Sequence, residues 1–236
     1  MAINLKETLR AWILIGACGC LFSNVLCAQK TYCSQPQLDN LISGIESRSG
    51  NIIEMLYQVG QGTGTCFGVD VRDQGFLKKH FDLAGQLSLR KLLASFGPAV
   101  TYSTGESFVY VRVGNGARDW LDVVMPSFQT AEAPPEIVDS ELSSRLYALA
   151  NPGSGSLGDT SFSESEKVRA FSMKNATVRA VITALVTNTS GGGMWFTARP
   201  HPAQDTLPSQ PFWTILVYAE ARDLNELRLR KALGVP

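Results

Sequence analysis

The sequence has few of the residues from which catalytic and metal sites are usually built. It contains only two histidines, His80 and His201, which lie far apart along the chain, so it does not predict a histidine-rich metal site. Lysine and arginine total 21 residues, and aspartate and glutamate also total 21, which leaves no surplus positive charge to neutralise phosphates. We recognise no catalytic motif and no cofactor motif. The sequence therefore predicts a non-enzymatic protein with no metal, cofactor or nucleic-acid partner.

A long hydrophobic run is also missing. The most apolar stretch, Ala11–Leu26, is interrupted by glycine, serine and asparagine and is shorter than the roughly 20 apolar residues that cross a bilayer. Lys6 and Arg10 precede it and small residues follow it, which is typical of a secretory signal peptide. We predict a signal peptide over residues 1–28 that is cleaved at the end of that range, no membrane span after cleavage, and a periplasmic or secreted protein. The alternative is lipid anchoring through Cys18.

Cleavage would leave only two cysteines, Cys33 and Cys66. Two cysteines in an exported protein predict one disulfide, here closing a loop of 33 residues. Two free buried thiols are the alternative. Neither cysteine has a histidine near it in the sequence, so a catalytic thiol is not expected.

Two stretches of the exported part resemble each other. Residues 81–93 read FDLAGQLSLRKLL, and residues 171–182 read FSMKNATVRAVI. In each stretch an alternation of apolar and polar residues predicts a strand that ends at a turn residue, and a hydroxyl residue then predicts the N-cap of a helix. The alternative is chance similarity between two common strand–turn–helix units. The turn residues are Gly85 and Asn175, the N-caps are Ser88 and Thr177, and the predicted helices are residues 88–96 and 177–189.

Similar elements flank both stretches. A helix precedes each of them and a hairpin follows each of them, which predicts units of helix, strand, strand, helix and hairpin. Gly60 is expected to stop the helix of the first unit, and a turn at Pro134 and Pro135 is expected to precede that of the second. The flanking predicted helices are residues 51–59 and 140–150, and the predicted strands are residues 66–71, 100–103, 108–113, 194–198 and 212–219.

The repeat predicts an α+β fold of two tandem small two-layer modules, each with two helices against a small mixed sheet. The first module covers residues 29–118 and the second covers residues 119–220. A short helix is predicted over residues 221–236. We expect each module to have a sheet of its own.

The pattern FDLAGQLSLRKLLASFGPAVTYSTGESFVYVRV resembles the short N-terminal domain of secretins and TonB-dependent receptors, the STN-like domain. The stretch FSMKNATVRAVITALV resembles the same unit in exported bacterial proteins that carry no barrel. Domains of this family are periplasmic modules that dock onto other envelope proteins, signalling partners or neighbouring subunits, and they have no catalytic set. The resemblance implies cell-envelope protein partners, with a homo-oligomer as a further option.

Aromatic residues crowd the last predicted hairpin. On alternating strands half of them face the core, and the others can form an exposed apolar surface of the kind that binds partners. Ordinary core packing is the alternative. The predicted partner surface consists of Trp195, Phe196, Phe212, Trp213 and Tyr218.

These observations predict an exported, non-enzymatic protein–protein interaction module of the bacterial cell envelope, acting through sheet edges or through the aromatic hairpin. The alternative is an exported small-ligand binder or hydrolase that uses a cleft between the two modules. A groove in which polar side chains converge over an apolar floor would favour the ligand binder. A flat or filled junction between the modules would favour the interaction module.

Overall fold

The structure is a computed structural model that describes residues 33–42, 47–115, 120–150, 166–197 and 213–218. The predicted signal peptide and the predicted C-terminal helix lie outside the described residues. No helix in the described ranges is long and apolar enough to span a membrane.

Helices and strands alternate through the described residues in an α+β fold, which confirms the predicted class. The strands are β1 (Ser47–Gly50), β2 (Cys66–Val71), β3 (Phe81–Ala84), β4 (Val100–Thr104), β5 (Phe108–Val113), β6 (Val124–Thr130), β7 (Phe171–Thr177), β8 (Gly193–Thr197) and β9 (Trp213–Val217). The helices are α1 (Ile52–Thr63), α2 (Leu89–Ser95), α3 (Pro135–Ala150) and α4 (Val178–Asn188).

The largest sheet takes strands from both halves of the chain. Its order is β4-β5-β2-β8-β9, and β2 pairs in parallel with both β5 and β8. The expectation that each module has its own sheet is therefore wrong, and the described residues of both halves belong to one compact unit. Joining the sheets removes two strand edges whose backbone groups would otherwise lack partners.

The two faces of this five-stranded sheet contribute to two different hydrophobic cores. Because side chains alternate along a strand, Phe67, Val69 and Val71 point to the first face, where α1 and α2 pack, and Cys66 points to the second face, where α3 and α4 pack. The helices of the two halves therefore lie on opposite faces of one sheet. We call these the first face and the second face below.

A repeated order of elements survives within the shared sheet. In each half a two-stranded antiparallel sheet, β1-β3 or β6-β7, accompanies the two helices, and a hairpin of the large sheet follows. Phe81 begins β3 and packs against Phe96, and Phe171 begins β7 and packs against Phe128, so the matched phenylalanines have similar environments in opposite cores.

The two predicted N-caps are confirmed. The Ser88 hydroxyl accepts a hydrogen bond from the Lys91 amide at 3.3 Å, and the Thr177 hydroxyl accepts one from the Ala180 amide at 3.2 Å. Both the predicted hairpin after α2 and the strand pair after α4 are also present. The two caps follow from the sequence because each depends on residues only three apart.

Two predicted turns take another form. Asn175 has φ 49°, but it lies within β7 rather than ending it, because β7 stays paired with β6 as far as Thr177. Pro135 is the first residue of α3 rather than part of a turn, as the fixed φ of proline allows at a helix start.

The helix α1 runs through Gly60 and ends at Gly64, which adopts the left-handed conformation with φ 70°. Gly60 therefore does not stop the helix, contrary to the prediction. A Cβ at that position would clash with the Tyr218 hydroxyl and would lie 2.9 Å from the Thr65 carbonyl oxygen. Glycine at position 60 therefore provides room for a neighbouring side chain.

The structure joins Cys33 and Cys66 by the predicted disulfide, with Cα atoms 5.4 Å apart. The Ser34 amide donates a hydrogen bond to the Gly64 carbonyl at 2.9 Å, so the segment that precedes β1 is fastened beside the start of β2. In the loop-entropy account a disulfide across this separation contributes about 3–4 kcal/mol to the free energy of unfolding.

Substitution of two glycines in the same helix tests this packing. Gly60→Ala is expected to lower the free energy of unfolding by about 1–3 kcal/mol, because the added methyl group overpacks the contact with Tyr218. Gly62→Ala, where no atom lies within 4 Å of the new Cβ, is expected to raise it by up to about 1 kcal/mol through helix propensity. Urea denaturation of both variants measures the difference, and equal effects would contradict the assigned role of Gly60.

Candidate functional site

The aromatic residues of the last hairpin do not form the predicted partner surface. Trp195 and Phe196 have no exposed area, and Trp213 is only 4% exposed. Tyr218 is half-buried, and Phe212 lies outside the described residues. The prediction is wrong because helices cover both faces of the shared sheet, so that alternation turns neither side of the hairpin to solvent.

Hydrogen bonds show that these aromatic side chains instead connect layers of the fold. The Trp195 indole N–H donates to the Thr183 hydroxyl of α4 at 3.1 Å, and the Trp213 indole N–H donates to the Asp139 carboxylate of α3 at 2.7 Å. Gly68 makes room for Trp195, since a Cβ there would lie 2.5 Å from the indole ring. The hairpin therefore has a structural role.

Tyr218, which directly follows β9, makes a further contact between elements of the fold. Its hydroxyl donates to the Thr65 carbonyl oxygen at 2.8 Å. Burial, followed by the neighbouring Tyr57, raises the pKa of Tyr218 well above that of a free tyrosine. The hydroxyl therefore stays protonated and remains a donor at any ordinary pH.

The exposed end of the five-stranded sheet is β4. Thr101, Ser103 and Thr104 are exposed, and β4 is paired only with β5. The strand at the opposite end, β9, has no exposed residue. We call the outer edge of Val100–Thr104 the β4 edge; it is the more exposed of the two ends of the central sheet.

Backbone groups that point outward from the β4 edge can be assigned from the hairpin. The Gly105 amide donates to the Phe108 carbonyl, and the Gly114 amide donates to the Ala99 carbonyl, both at 2.8 Å. In an antiparallel pair the inward-bonded residues alternate with outward-facing ones. Odd-numbered residues of β4 therefore bond to β5, and the amides and carbonyls of Tyr102 and Thr104 face outward.

The β4 edge lacks the features by which proteins usually block pairing. Natural edges carry proline, lysine or a bulge, whereas Val100–Thr104 reads VTYST. The small sheet β6-β7 has such features: Pro126 lies within β6, and β7 contains the exposed Lys174 and the positive-φ Asn175. The other small sheet has strands of only four residues.

A buried carboxylate lies on the second face, on β2, two strands in from this edge. Asp70 has no exposed area, and its Oδ2 accepts hydrogen bonds from Arg72 Nε at 3.0 Å, the Tyr110 hydroxyl at 2.8 Å and Arg179 Nη1 at 3.1 Å. The Nε of Arg112 lies 3.9 Å from the same oxygen. Asp70 of β2 is therefore the common partner of three arginines.

Arg179 extends this arrangement to the second half of the chain. Its Nη2 donates to the Asp122 carboxylate at 2.8 Å, and its Nη1 also contacts the Tyr110 hydroxyl. We call the six side chains the Asp70 cluster. Its members are Asp70, Arg72, Tyr110, Arg112, Asp122 and Arg179.

The cluster keeps Asp70 ionised. Burial alone raises the pKa of Asp70, but hydrogen bonds from Tyr110 and Arg72, together with the charges of Arg72 and Arg179, outweigh it, so the pKa lies below its ordinary value. Burial, and then the charge of Asp70, raises the pKa of Tyr110. Tyr110 therefore remains a neutral donor to the carboxylate.

Sequence reasoning did not find this cluster, although one signal was present. An aspartate in the otherwise apolar strand CFGVDV indicates a buried charge that needs partners. The identity of those partners depends on the pairing of β2 with β5 and on the position of α4. Arg90 stands at the corresponding position of the first similar stretch, and it instead forms an exposed ion pair with Asp39 at 2.7 Å.

An open cleft of about 510 Å³ lies between the β4–β5 hairpin and α4. Three of its polar groups are engaged within the protein: Arg179 binds Asp70, Tyr110 binds Asp70, and Thr183 accepts the Trp195 indole N–H. Glu106 and Ser107 line the cleft near the hairpin turn. Phe108, Met173 and two alanines of α4 provide apolar lining. The cleft has an apolar floor, but its central polar side chains are directed to one another.

Ser49 and His80 form a contact that the sequence did not reveal. The Ser49 hydroxyl shares a hydrogen bond with Nε2 of His80, and both side chains are exposed on the surface of β1-β3. A catalytic serine needs prearranged donors for the developing oxyanion in a site shielded from water. The contact is therefore no basis for a catalytic assignment. In the described ranges no group of three or more histidine, cysteine or acidic residues could hold a metal ion.

No protein-family model, curated protein or solved structure matches this chain. The resemblance to the STN-like domain therefore stays a prediction, and the candidate site is defined by its geometry. That geometry combines the open β4 edge with the Asp70 cluster on the adjacent second face.

Removal of the central carboxylate tests the cluster. Asp70→Asn is expected to lower the free energy of unfolding at neutral pH by about 3–5 kcal/mol, because it leaves buried arginine charge without its partner. Since the pKa of Asp70 is lowered in the folded state, its contribution is present above the unfolded value of 3.8 and is lost as the pH falls below it. Urea denaturation at several pH values should show a weaker acid dependence for Asp70→Asn than for the unmodified protein.

The matched control is Asp39→Asn, which removes the exposed partner of Arg90. It should change stability little, because exposed ion pairs are screened by solvent. Similar effects of the two substitutions would contradict a special role for the buried carboxylate.

Proposed function

We propose that this protein is an exported, non-catalytic interaction module that binds an extended segment of a partner protein at the β4 edge. Strand addition uses the backbone groups of a sheet edge for affinity and neighbouring side chains for specificity. The open, uncharged β4 edge, with its outward-facing groups at Tyr102 and Thr104, is the observation that carries this proposal.

The internal engagement of the cleft favours a partner protein over a small ligand. Ligand sites offer a few polar groups that are available to the ligand. Here Arg179, Tyr110 and Thr183 already hydrogen-bond to other side chains of the protein. A small ligand would have to compete with those contacts, whereas a strand at the β4 edge would gain unpaired backbone groups.

Two features support export as part of the proposal. Lys6 and Arg10 precede the interrupted apolar run of residues 11–26, as in a signal peptide. The Cys33–Cys66 disulfide belongs to an oxidising compartment such as the periplasm. A cell-envelope partner fits this location.

The mature N-terminus tests export. After expression in a bacterial host, mass spectrometry of the periplasmic protein should find a chain that begins at Gln29, because cleavage is expected after Ala28. An acylated N-terminal Cys18 would instead show a lipid-anchored protein. A full-length chain in the cytoplasmic fraction would contradict export.

A proline at the β4 edge tests strand addition. Linear peptides are selected from a random display library on the oxidised protein, and their affinity is measured by calorimetry. Thr104→Pro is expected to abolish binding, because it removes an outward-facing amide and keeps the β4–β5 ladder intact. Thr104→Val, which retains that amide, is the matched control and should bind normally.

Hydrogen exchange provides a second readout of the same prediction. On peptide binding the amides of Tyr102 and Thr104 should exchange more slowly, because each becomes part of a new ladder. Unchanged exchange at both amides, or normal binding by Thr104→Pro, would contradict strand addition at this edge.

A further inference from the structure

An exposed carboxylate lies in the turn at the end of the β4 edge. Glu106 follows Gly105, whose amide closes the turn between β4 and β5 by donating to the Phe108 carbonyl at 2.8 Å. Glu106 is exposed, and it has no ion-pair or hydrogen-bond partner among the described residues. Covering an unpaired carboxylate costs free energy. A segment that extends over this turn therefore binds better if it brings a positive charge.

The cleft beside the hairpin adds an apolar surface to this carboxylate. Glu106 lines the cleft together with Phe108 of β5, Met173 of β7 and Ala184 of α4. Lysine and arginine cover apolar surface with their stems while their charged ends stay in water. An apolar lining that includes an exposed carboxylate therefore matches the chemistry of a long basic side chain.

Only small residues of β4 lie between the β4 edge and this cleft. Thr101 and Ser103 point to the second face, and Gly105 follows them with the same inward-bonded register. A strand added at the β4 edge would put a residue opposite Gly105 at about 10 Å from Phe108, twice the spacing between strands. Because Gly105 has no side chain, a long side chain of the added strand can cross it toward the cleft.

We propose that the partner segment carries a lysine or arginine opposite Gly105, with its stem on the apolar lining of the cleft and its charge on Glu106. This inference rests on strand addition at the β4 edge and adds the chemistry of the partner segment to it. The backbone of the segment would pair with β4, and this one side chain would select the sequence.

Arg179 also lines the cleft, but its charge is engaged by carboxylates of the protein. Its guanidinium donates to Asp70 at 3.1 Å and to Asp122 at 2.8 Å. Glu106 has no such neighbour among the described residues. At the hairpin end of the cleft, the charge that is available to a partner is therefore that of Glu106.

Charge also distinguishes this partner from a second copy of the chain. Val100–Thr104 contains neither lysine nor arginine, so β4 of a second copy would bring no cation to Glu106. Pairing of two β4 edges would leave the carboxylates of both copies uncompensated. A segment with a basic residue is therefore favoured over self-pairing.

Selection of peptides on charge variants tests the inference. The same random linear library is selected on the oxidised protein, on Glu106→Gln and on Glu106→Lys. Peptides from the unmodified protein should share a basic residue at one aligned position. Glu106→Gln should lose that preference, and Glu106→Lys should replace it by a preference for an acidic residue. Thermal unfolding of each variant confirms that the fold is retained.

Calorimetry with one selected peptide gives the magnitude. Glu106→Gln should weaken binding about two- to fivefold, as for a partly exposed ion pair, and the effect should shrink at high salt. The matched control is Asp82→Asn, which removes an exposed carboxylate from the sheet β1-β3 and should leave binding unchanged. Equal weakening by both variants would contradict recognition by Glu106.

The stem of the basic side chain has its own readout. Alanine in place of the peptide's basic residue should weaken binding more than Glu106→Gln does, because it also removes the stem from the apolar lining. Equal effects of the two changes would contradict the contact with the cleft.

The outcomes separate this inference from the proposed function. Peptides that lose binding with Thr104→Pro but show no basic preference, or keep it on Glu106→Lys, overturn the basic partner and leave strand addition standing. Selection that yields no peptide sensitive to Thr104→Pro overturns both proposals. A dimer that forms through the β4 edge would overturn the basic segment in favour of a second copy.

Discussion

The fold depends on a carboxylate that neither half of the chain could bury alone. Asp70 lies on β2 of the first half with no exposed area, and the guanidinium of Arg179 reaches it from α4 of the second half. Burying an unpaired carboxylate is strongly unfavourable. From the first half, Arg72 and Tyr110 donate hydrogen bonds to the Asp70 carboxylate. Arg179 of the second half donates a further one and also binds Asp122. The two halves are thus joined by electrostatics as well as by apolar packing.

The same junction explains why the two expected sheets are one. The parallel pairing of Phe67–Val69 with Met194–Phe196 connects the strands of both halves, and each half then covers one face with its own helices. A separate three-stranded sheet would leave one face and an edge of β2 in solvent. Joining the two sheets buries that face and that edge of β2. The aromatic residues of β8 and β9 become core residues as a consequence.

Local features could be read from the sequence, and long-range ones could not. Ser88 and Thr177 were recognised as caps because a cap involves only the next helical turn. The role of Gly60 was missed because the atom that requires it belongs to Tyr218, more than 150 residues away. Burial of Trp195 was missed for a similar reason: alternation indicates that two sides of a strand differ, but not that helices cover both of them. The β4 edge was expected only as one sheet edge among several.

The merged sheet also determines how many segments the central sheet can accept. Two independent modules would each have presented open edges, but β2 now pairs with strands on both sides and β9 has no exposed residue. The two ends of this sheet are β4 and β9, and among the described residues β4 is the end that has exposed side chains. The Asp70 cluster that joins the halves includes Tyr110 and Arg112 of β5, which pair with Ser103 and Thr101 of β4. The contacts that hold the two halves together therefore also position β5, the strand on which β4 and its exposed edge are built.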